Sequence, residues 1–402
     1  MIRQVLLYLP ALFVLAGCGG ENSQEIGSSN PDVTGSYRGE ANRTWQSIEE
    51  AGVEAKIVEF NETTENGNEI PHTRRYLRYV PDTPAGSPGY PLLFVLHGAN
   101  VNPEISRTYD SMGSFERLAD QHGFVVVYGN GDQPVNGANQ DAFTAHSSWW
   151  AIPRENRDYL KAIWQQLEAE GIHIDSSRRY LVGLSNGAGI INQISSSYSE
   201  FVTTHFAGIG LVAGPAPWFL DATARHYSQT EGIEYSNALL DEPLLLSYCE
   251  DKVDTELSPM REAIKNLDII HFYSENDGAF GDTTTYREQM QRGIALNNCL
   301  RGAKGYDDSI NVTQYEDQII EGGNCEGLPE YTTSTCDSRI QQEWYQERPG
   351  VGRLSVISSD RSGHGWPYPE QYHESVYLGW QGLRNQDIDL AEKIWEFFAQ
   401  SE

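Results

Sequence analysis

Residues 179–198 constrain this chain more tightly than any other stretch. Arg179-Tyr180-Leu181-Val182-Gly183 reads as a short buried strand, and Gly187 to Tyr198 reads as a helix despite its serines. Between them, Gly183-Leu184-Ser185-Asn186-Gly187 fits Gly-x-Ser-x-Gly. A serine on a sharp strand-to-helix turn, flanked by glycines, stands exposed at the top of a parallel sheet. From residue frequencies alone the pentapeptide arises by chance in about one chain in ten of this size. Its placement at the end of a buried strand therefore carries most of the weight.

The rest of the chain has the alternation that such a turn demands. Leu92 to Leu96, Phe124 to Tyr128, Phe206 to Val212, Leu267 to Tyr273 and Arg353 to Ile357 are short apolar runs, as buried strands are. Arg75 to Val80 alternates polar with apolar and reads as an edge strand. Phe115–Gln121, Tyr159–Glu170, Tyr286–Asn298 and Asp389–Ala399 have helical spacing. Strands alternating with helices predict an α/β fold, a mostly parallel sheet covered on both faces. Two connections interrupt it, near 215–266 and 300–350, and both read as long inserted loops able to form lids or binding surfaces.

A serine hydroxyl needs an adjacent base. His364, in Ser362-Gly363-His364-Gly365-Trp366, follows the last strand and precedes the last helix, and the glycines leave room for an imidazole. The acid that orients it is expected between Ser185 and His364, past a late strand. Asp277 in Ser274-Glu275-Asn276-Asp277-Gly278 is the choice, with Glu275 and Asp282 as competitors. Backbone N–H groups of Asn186 and of Ala99, in Leu96-His97-Gly98-Ala99, are expected to form the oxyanion hole. His97 reads as a prop for that loop. Trp150 and Trp366 are candidate substrate contacts, and Trp149 is a weaker one.

Other chemistries find little support. Gly208-Ile209-Gly210-Leu211-Val212-Ala213 roughly fits a dinucleotide fingerprint, but Gly214-Pro215-Ala216-Pro217 follows and cannot open a helix cleanly. No phosphate loop and no His-Glu-x-x-His occur, so no cofactor and no metal are expected. Lys and Arg number 28 against 57 Asp and Glu, a formal net charge of -29, which argues against nucleic acid as a partner.

The N-terminus carries one Arg, then an apolar run from Val5 to Ala16, too short to span a bilayer but suited to a signal peptide. It ends in Leu15-Ala16-Gly17-Cys18, which looks like a bacterial lipobox. Residues 1–17 are thus expected to be a signal peptide, Cys18 a lipidation site, 18–44 a flexible tether and 45–402 the catalytic domain. The expected location is the cell envelope, on the outer membrane rather than the inner, with the lipid as the sole membrane contact. Cys249, Cys299, Cys325 and Cys336 remain for disulfides, and four cysteines allow three pairings.

Beyond these readings, the chain resembles polyhydroxybutyrate depolymerases and the related feruloyl-esterase-type carbohydrate esterases. The matching pieces are Leu96-His97-Gly98, Gly123-Phe124-Val125-Val126, Ile174-Asp175 with Arg179-Tyr180, Gly183-Leu184-Ser185-Asn186-Gly187-Ala188, Gly363-His364-Gly365-Trp366-Pro367 and Trp395-Glu396-Phe397-Phe398. The resemblance implies an α/β-hydrolase core with Ser185, Asp277 and His364 as its triad, and a Cys299–Cys336 disulfide. It implies an esterase for polyhydroxyalkanoate-type oligomers, with feruloyl or acetyl esters of polysaccharides as the alternative. An inactive binding lipoprotein that keeps the fold is a second alternative.

Overall fold

The computed structural model describes residues 52–64, 66–131, 133–134, 147–149, 152–214, 218–232, 242–258, 261, 267–274, 277, much of 288–300, 315–319, 339–345, 353–359, 363–368 and 388–399. The expected signal peptide, Cys18 and the tether lie outside these residues, as do Trp150, Glu275, Asp282, Cys325 and Cys336.

In chain order the elements are β1 (Val53–Thr63), β2 (Glu69–Tyr79), β3 (Tyr90–Leu96), α1 (Ser114–His122), β4 (Val125–Gly129), β5 (Gln133–Pro134), β6 (Ser147–Ser148) and α2 (Pro153–Ala169). Then come β7 (Ile174–Leu184), α3 (Asn186–Ser197), α4 (Ser199–His205), β8 (Gly208–Val212), α5 (Trp218–Glu231) and α6 (Glu242–Lys252). β9 (Asp268–Ser274), β10 (Tyr315–Ile319), β11 (Arg339–Tyr345), β12 (Leu354–Ser359) and α7 (Leu390–Ala399) follow, and short helical segments at Pro103–Ile105 and Ser106–Asp110 lie between β3 and α1.

Ten of these strands form one sheet, ordered β1-β2-β4-β3-β7-β8-β9-β12-β11-β10. The middle, from β4 to β12, is parallel throughout, and both flanks are antiparallel. Side chains alternate across the pleat, so each central strand feeds two cores. Leu92, Phe94 and Leu96 of β3 enter one, while Leu93 and Val95 enter the other. The first core is closed by Tyr159, Leu160, Ile163, Trp164 and Leu167 of α2 and by Ile190, Ile191 and Ile194 of α3. The second is closed by Phe115 and Leu118 of α1 and by Ile394, Trp395, Phe397 and Phe398 of α7. Helices cover both faces, the arrangement of the α/β-hydrolase fold.

Three expectations need correction. Arg75–Val80 is not the edge of the sheet: β1 pairs outside β2 along its whole length, from Val53↔Tyr79 to Thr63↔Glu69. The charged residues of β1 hid its alternation, although Asn66-Gly67 between the two strands is a hairpin signal. The inserts are also not simple loops. Residues 215–266 contain α5 and α6, whose Ala224, Tyr227, Leu245 and Cys249 join the first core. Residues 300–350 contain β10 and β11, which extend the sheet.

The third correction is the disulfide. Cys299 bonds Cys249, not Cys336. Cys249 on α6 and Leu296 and Leu300 beside Cys299 enter the same core. That packing brings the two Cα atoms to 6.3 Å, within bridging range.

Candidate active site

The parallel strands deliver their C-terminal ends to one edge of the sheet, where open α/β folds place their sites. Ser185 follows β7, the His97–Ala99 loop follows β3, Asp277 follows β9, and His364 follows β12.

Ser185 has φ 53° and ψ -111°, far from the ordinary regions for a residue with a side chain. Its N–H donates to Val212 O at 2.8 Å, and its carbonyl accepts the N–H of Gly189 at 2.9 Å, opening α3. The backbone turns within one residue because its neighbours lack side chains. A Cβ on Gly187 would lie 2.2 Å from Leu96 O, and one on Gly183 would lie 2.4 Å from the Gly187 carbonyl carbon. Strain of this kind is held by the packing around it.

The structure brings Ser185, His364 and Asp277 into one line. Ser185 Oγ is 2.6 Å from His364 Nε2. His364 Nδ1 lies 2.8 Å and 3.0 Å from the two carboxylate oxygens of Asp277. Asp277 and His364 are buried, while Ser185 is partly open. With Nδ1–H donating to the carboxylate, Nε2 is left as the acceptor facing the serine hydroxyl. This arrangement can take a proton from Ser185 and return it.

The loop after β3 lies beside the nucleophile: a Cβ on Gly98 would sit 3.7 Å from Ser185 Cβ. His97 is fully buried and props this loop, as expected. Gly131 N–H donates to His97 Nε2 at 2.9 Å, which makes Nδ1 the protonated nitrogen. Nδ1–H then donates to Gly98 O at 2.7 Å. In a trans peptide the C=O and N–H point in opposite directions, so pinning Gly98 O also orients the Ala99 N–H. Asn186 is the first residue of α3, where backbone N–H groups have no intrahelical partner.

Farther along, a buried ion network ties the connection between β3 and α1 to α1 and β4. Arg107 pairs with Glu104 and Glu116, each at 3.0 Å, and Tyr128 donates to Glu116 at 2.8 Å. Burial pushes the Tyr128 phenol well up, so it remains a donor.

Trp366 is not a surface contact. It is 1% exposed and packs edge-on against Phe115 at 5.7 Å, in the core beneath α1 and α7. Two residues past His364, it anchors the histidine loop. Trp149 is buried as well, and bonds both His97 and Asn186. Sequence reasoning missed that link, and only its place next to Trp150 drew attention to it.

Elsewhere, Glu62, His72 and Glu155 bring ligand-type atoms within 4.8 Å of one another. Arg154 pairs with Glu62 at 2.5 Å and Arg74 with Glu155 at 3.5 Å, so positive charge is already supplied there.

Fold and site together have the form of the α/β-hydrolase class, with a serine, histidine and aspartate arranged as a nucleophile, its base and the orienting acid. No established family profile matches the chain. Among curated proteins, a bifunctional acetylxylan esterase/xylanase of Neocallimastix patriciarum is 29% identical over 165 residues, 38% of this chain and 22% of that protein. The chain thus spans about a fifth of that relative. A probable acetylxylan esterase A of Aspergillus flavus is 22% identical over 274 residues, 63% of this chain and 85% of that protein. Among solved structures, an acetyl xylan esterase from Aspergillus awamori superposes with TM-score 0.43 at 15% identity, covering 86% and 99% of the two chains. A feruloyl esterase module from Clostridium thermocellum gives 0.34 at 13% identity, covering 59% and 73%. The curated relatives are acetylxylan esterases, on the carbohydrate-esterase side of the resemblance read from the sequence.

Proposed function

We propose that this chain removes acetyl or hydroxycinnamoyl groups from neutral plant-type polysaccharides such as xylan, through an acyl-enzyme on Ser185. The 2.6 Å contact between Ser185 Oγ and His364 Nε2 carries the reaction. Ser185 Oγ attacks the ester carbonyl while His364 Nε2 takes its proton. The N–H groups of Ala99 and Asn186 hold the oxyanion. The intermediate collapses, the sugar oxygen leaves with the proton from His364, and the acyl group stays on Ser185. Water, deprotonated by His364, then attacks the acyl carbon and restores the free serine. Asp277 accepts the Nδ1–H bond and holds the imidazole in place.

The named relatives support a polysaccharide ester as substrate, which reverses the order of the sequence reading. The polyester reading rests on the resemblance to polyhydroxybutyrate depolymerases alone. A net charge of -29 also disfavours approach to polyanions such as pectin at low salt. The test is acetate release from acetylated xylan and ferulate release from feruloylated arabinoxylan, set beside cleavage of a hydroxybutyrate oligomer. We expect at least a tenfold preference for one of the polysaccharide esters, about 1.4 kcal/mol in transition-state binding. A tenfold preference for the oligomer would restore the polyester reading.

Export and lipid attachment at Cys18 belong to the same proposal. The support is the apolar run ending in Leu15-Ala16-Gly17-Cys18. The wild-type protein is expected in the detergent phase on extraction, and Cys18→Ser in the aqueous phase.

A further inference from the structure

We propose that Trp149 is a positioning residue that holds the two halves of the oxyanion hole in register. This rests on the reading of Ser185 as nucleophile and of Ala99 and Asn186 as oxyanion donors, and it assigns a role to Trp149, outside that set of three. The two donors come from different segments, one after β3 and one after β7. Those strands pair with each other only as far as Leu96↔Gly183. Beyond that rung, Trp149 touches both.

Its indole Nε1–H donates to His97 O at 2.9 Å, one peptide before the Gly98–Ala99 plane. Its backbone N–H donates to Asn186 Oδ1 at 2.6 Å, and Asn186 Nδ2 returns a longer bond of 3.4 Å to Trp149 O. One residue thus grips the carbonyl of one segment and the side chain of the other.

The grip is stiff because the indole has little freedom. Trp149 is 4% exposed. Its ring lies 5.2 Å from the His97 imidazole, with the Arg74 guanidinium 5.3 Å from its centroid. A Cβ on Gly129 would come within 3.0 Å of the ring. Arg74 itself is fixed by Asn156 at 2.9 Å and by the Tyr159 face at 3.7 Å. Hydrogen bonds to a developing oxyanion contribute most when the donors are already in place. A residue that fixes their spacing therefore acts on turnover and much less on substrate binding.

The experiment uses the full-length enzyme with Trp149→Phe, Asn186→Ala and the double variant, and Ser185→Ala as control. An aryl acetate gives kcat and KM, and an alkyl boronic acid reports the tetrahedral state on Ser185. Each single variant is expected to lower kcat about tenfold with KM within about threefold, and to weaken boronate binding by the same factor. The double variant is expected to lose little more than either single, because both cut one tie. Unchanged kcat and boronate affinity, with only a lower melting temperature, would overturn the proposal and leave Trp149 as packing. If Trp149→Phe does not fold, Asn186→Ala decides alone, since it leaves the indole core intact. An active Ser185→Ala enzyme would instead sink the nucleophile assignment, a result the other variants cannot mimic.

Discussion

The turn that carries Ser185 and the loops that carry Asp277 and His364 meet at one contact, but they are built differently. Ser185 is fixed by backbone: a φ of 53°, two glycines with no room for a Cβ, and main-chain bonds to Val212 and Gly189. Asp277 and His364 are fixed by side chains, through their mutual bonds, the burial of Trp366 against Phe115, and a disulfide. Asp277 lies inside the 50-residue span that Cys249 and Cys299 close. A nucleophile held by its own backbone is announced by a few residues of local sequence, although β3 and β8 close around it. An acid–base pair on separate loops needs the remainder of the fold to bring it together.

The sharpest test of this contrast is the triad itself. Ser185→Ala and His364→Ala are each expected to lower kcat by about 10⁶, as for residues that act as one unit. Loss of fluorophosphonate labelling checks the serine. Asp277→Asn is expected to cost about 10⁴ through the wrong imidazole tautomer. Full activity in that variant would move the acid to Glu275 or Asp282.

Next in size is the anchor of the histidine loop. Trp366→Ala is expected to destabilise the protein by about 3–5 kcal/mol, measured by denaturant unfolding. Trp366→Phe is expected to keep most of the stability and the activity. A stable, active Trp366→Ala enzyme would show that the loop does not depend on packing.

The disulfide probes the acid loop by another route. Chain entropy for a loop of this length gives about 4 kcal/mol, so Cys249→Ala/Cys299→Ala is expected to unfold at lower denaturant. An unchanged midpoint would mean the bridge adds nothing to the helix packing around it.

The effect most confined to acid pH is set by His271, buried on β9 with its pKa lowered to about 3 by burial. Its ring nitrogens have no hydrogen-bond partner among the described residues. The unfolded chain takes up this proton below about pH 6.5, while the folded protein resists until about pH 3. Stability therefore falls as pH drops through that window, by up to about 1.4 kcal/mol per pH unit from this group. His271→Leu is expected to flatten the acid limb of a stability–pH curve, and an unchanged slope would refute the assignment.

Legibility followed range. The β3, β4, β8, β9 and β12 runs were readable because strands buried on both faces must be apolar throughout. β1 was not, because an outer strand needs only part of its residues inside, and its glutamates and lysine broke the pattern. Among the site residues, Ser185 and His364 stood out by their glycine neighbours. Asp277 did not, since nothing local distinguishes it from Glu275 or Asp282; the 2.8 Å contact with His364 does.

The sequence by itself determined the α/β alternation, the turn at Ser185, the place of His364 after the last strand, and the loop that His97 props. These are local properties: the apolar period of a strand, and glycines that allow a turn no other residue would. Only the tertiary structure decided that Trp366 faces the core, that Cys299 pairs with Cys249, and that Trp149 links the His97 loop to Asn186. An indole reads the same in sequence whether it packs or binds, and a thiol bonds whichever thiol the core brings within reach. Those outcomes depend on which distant surfaces meet, and no local pattern encodes that.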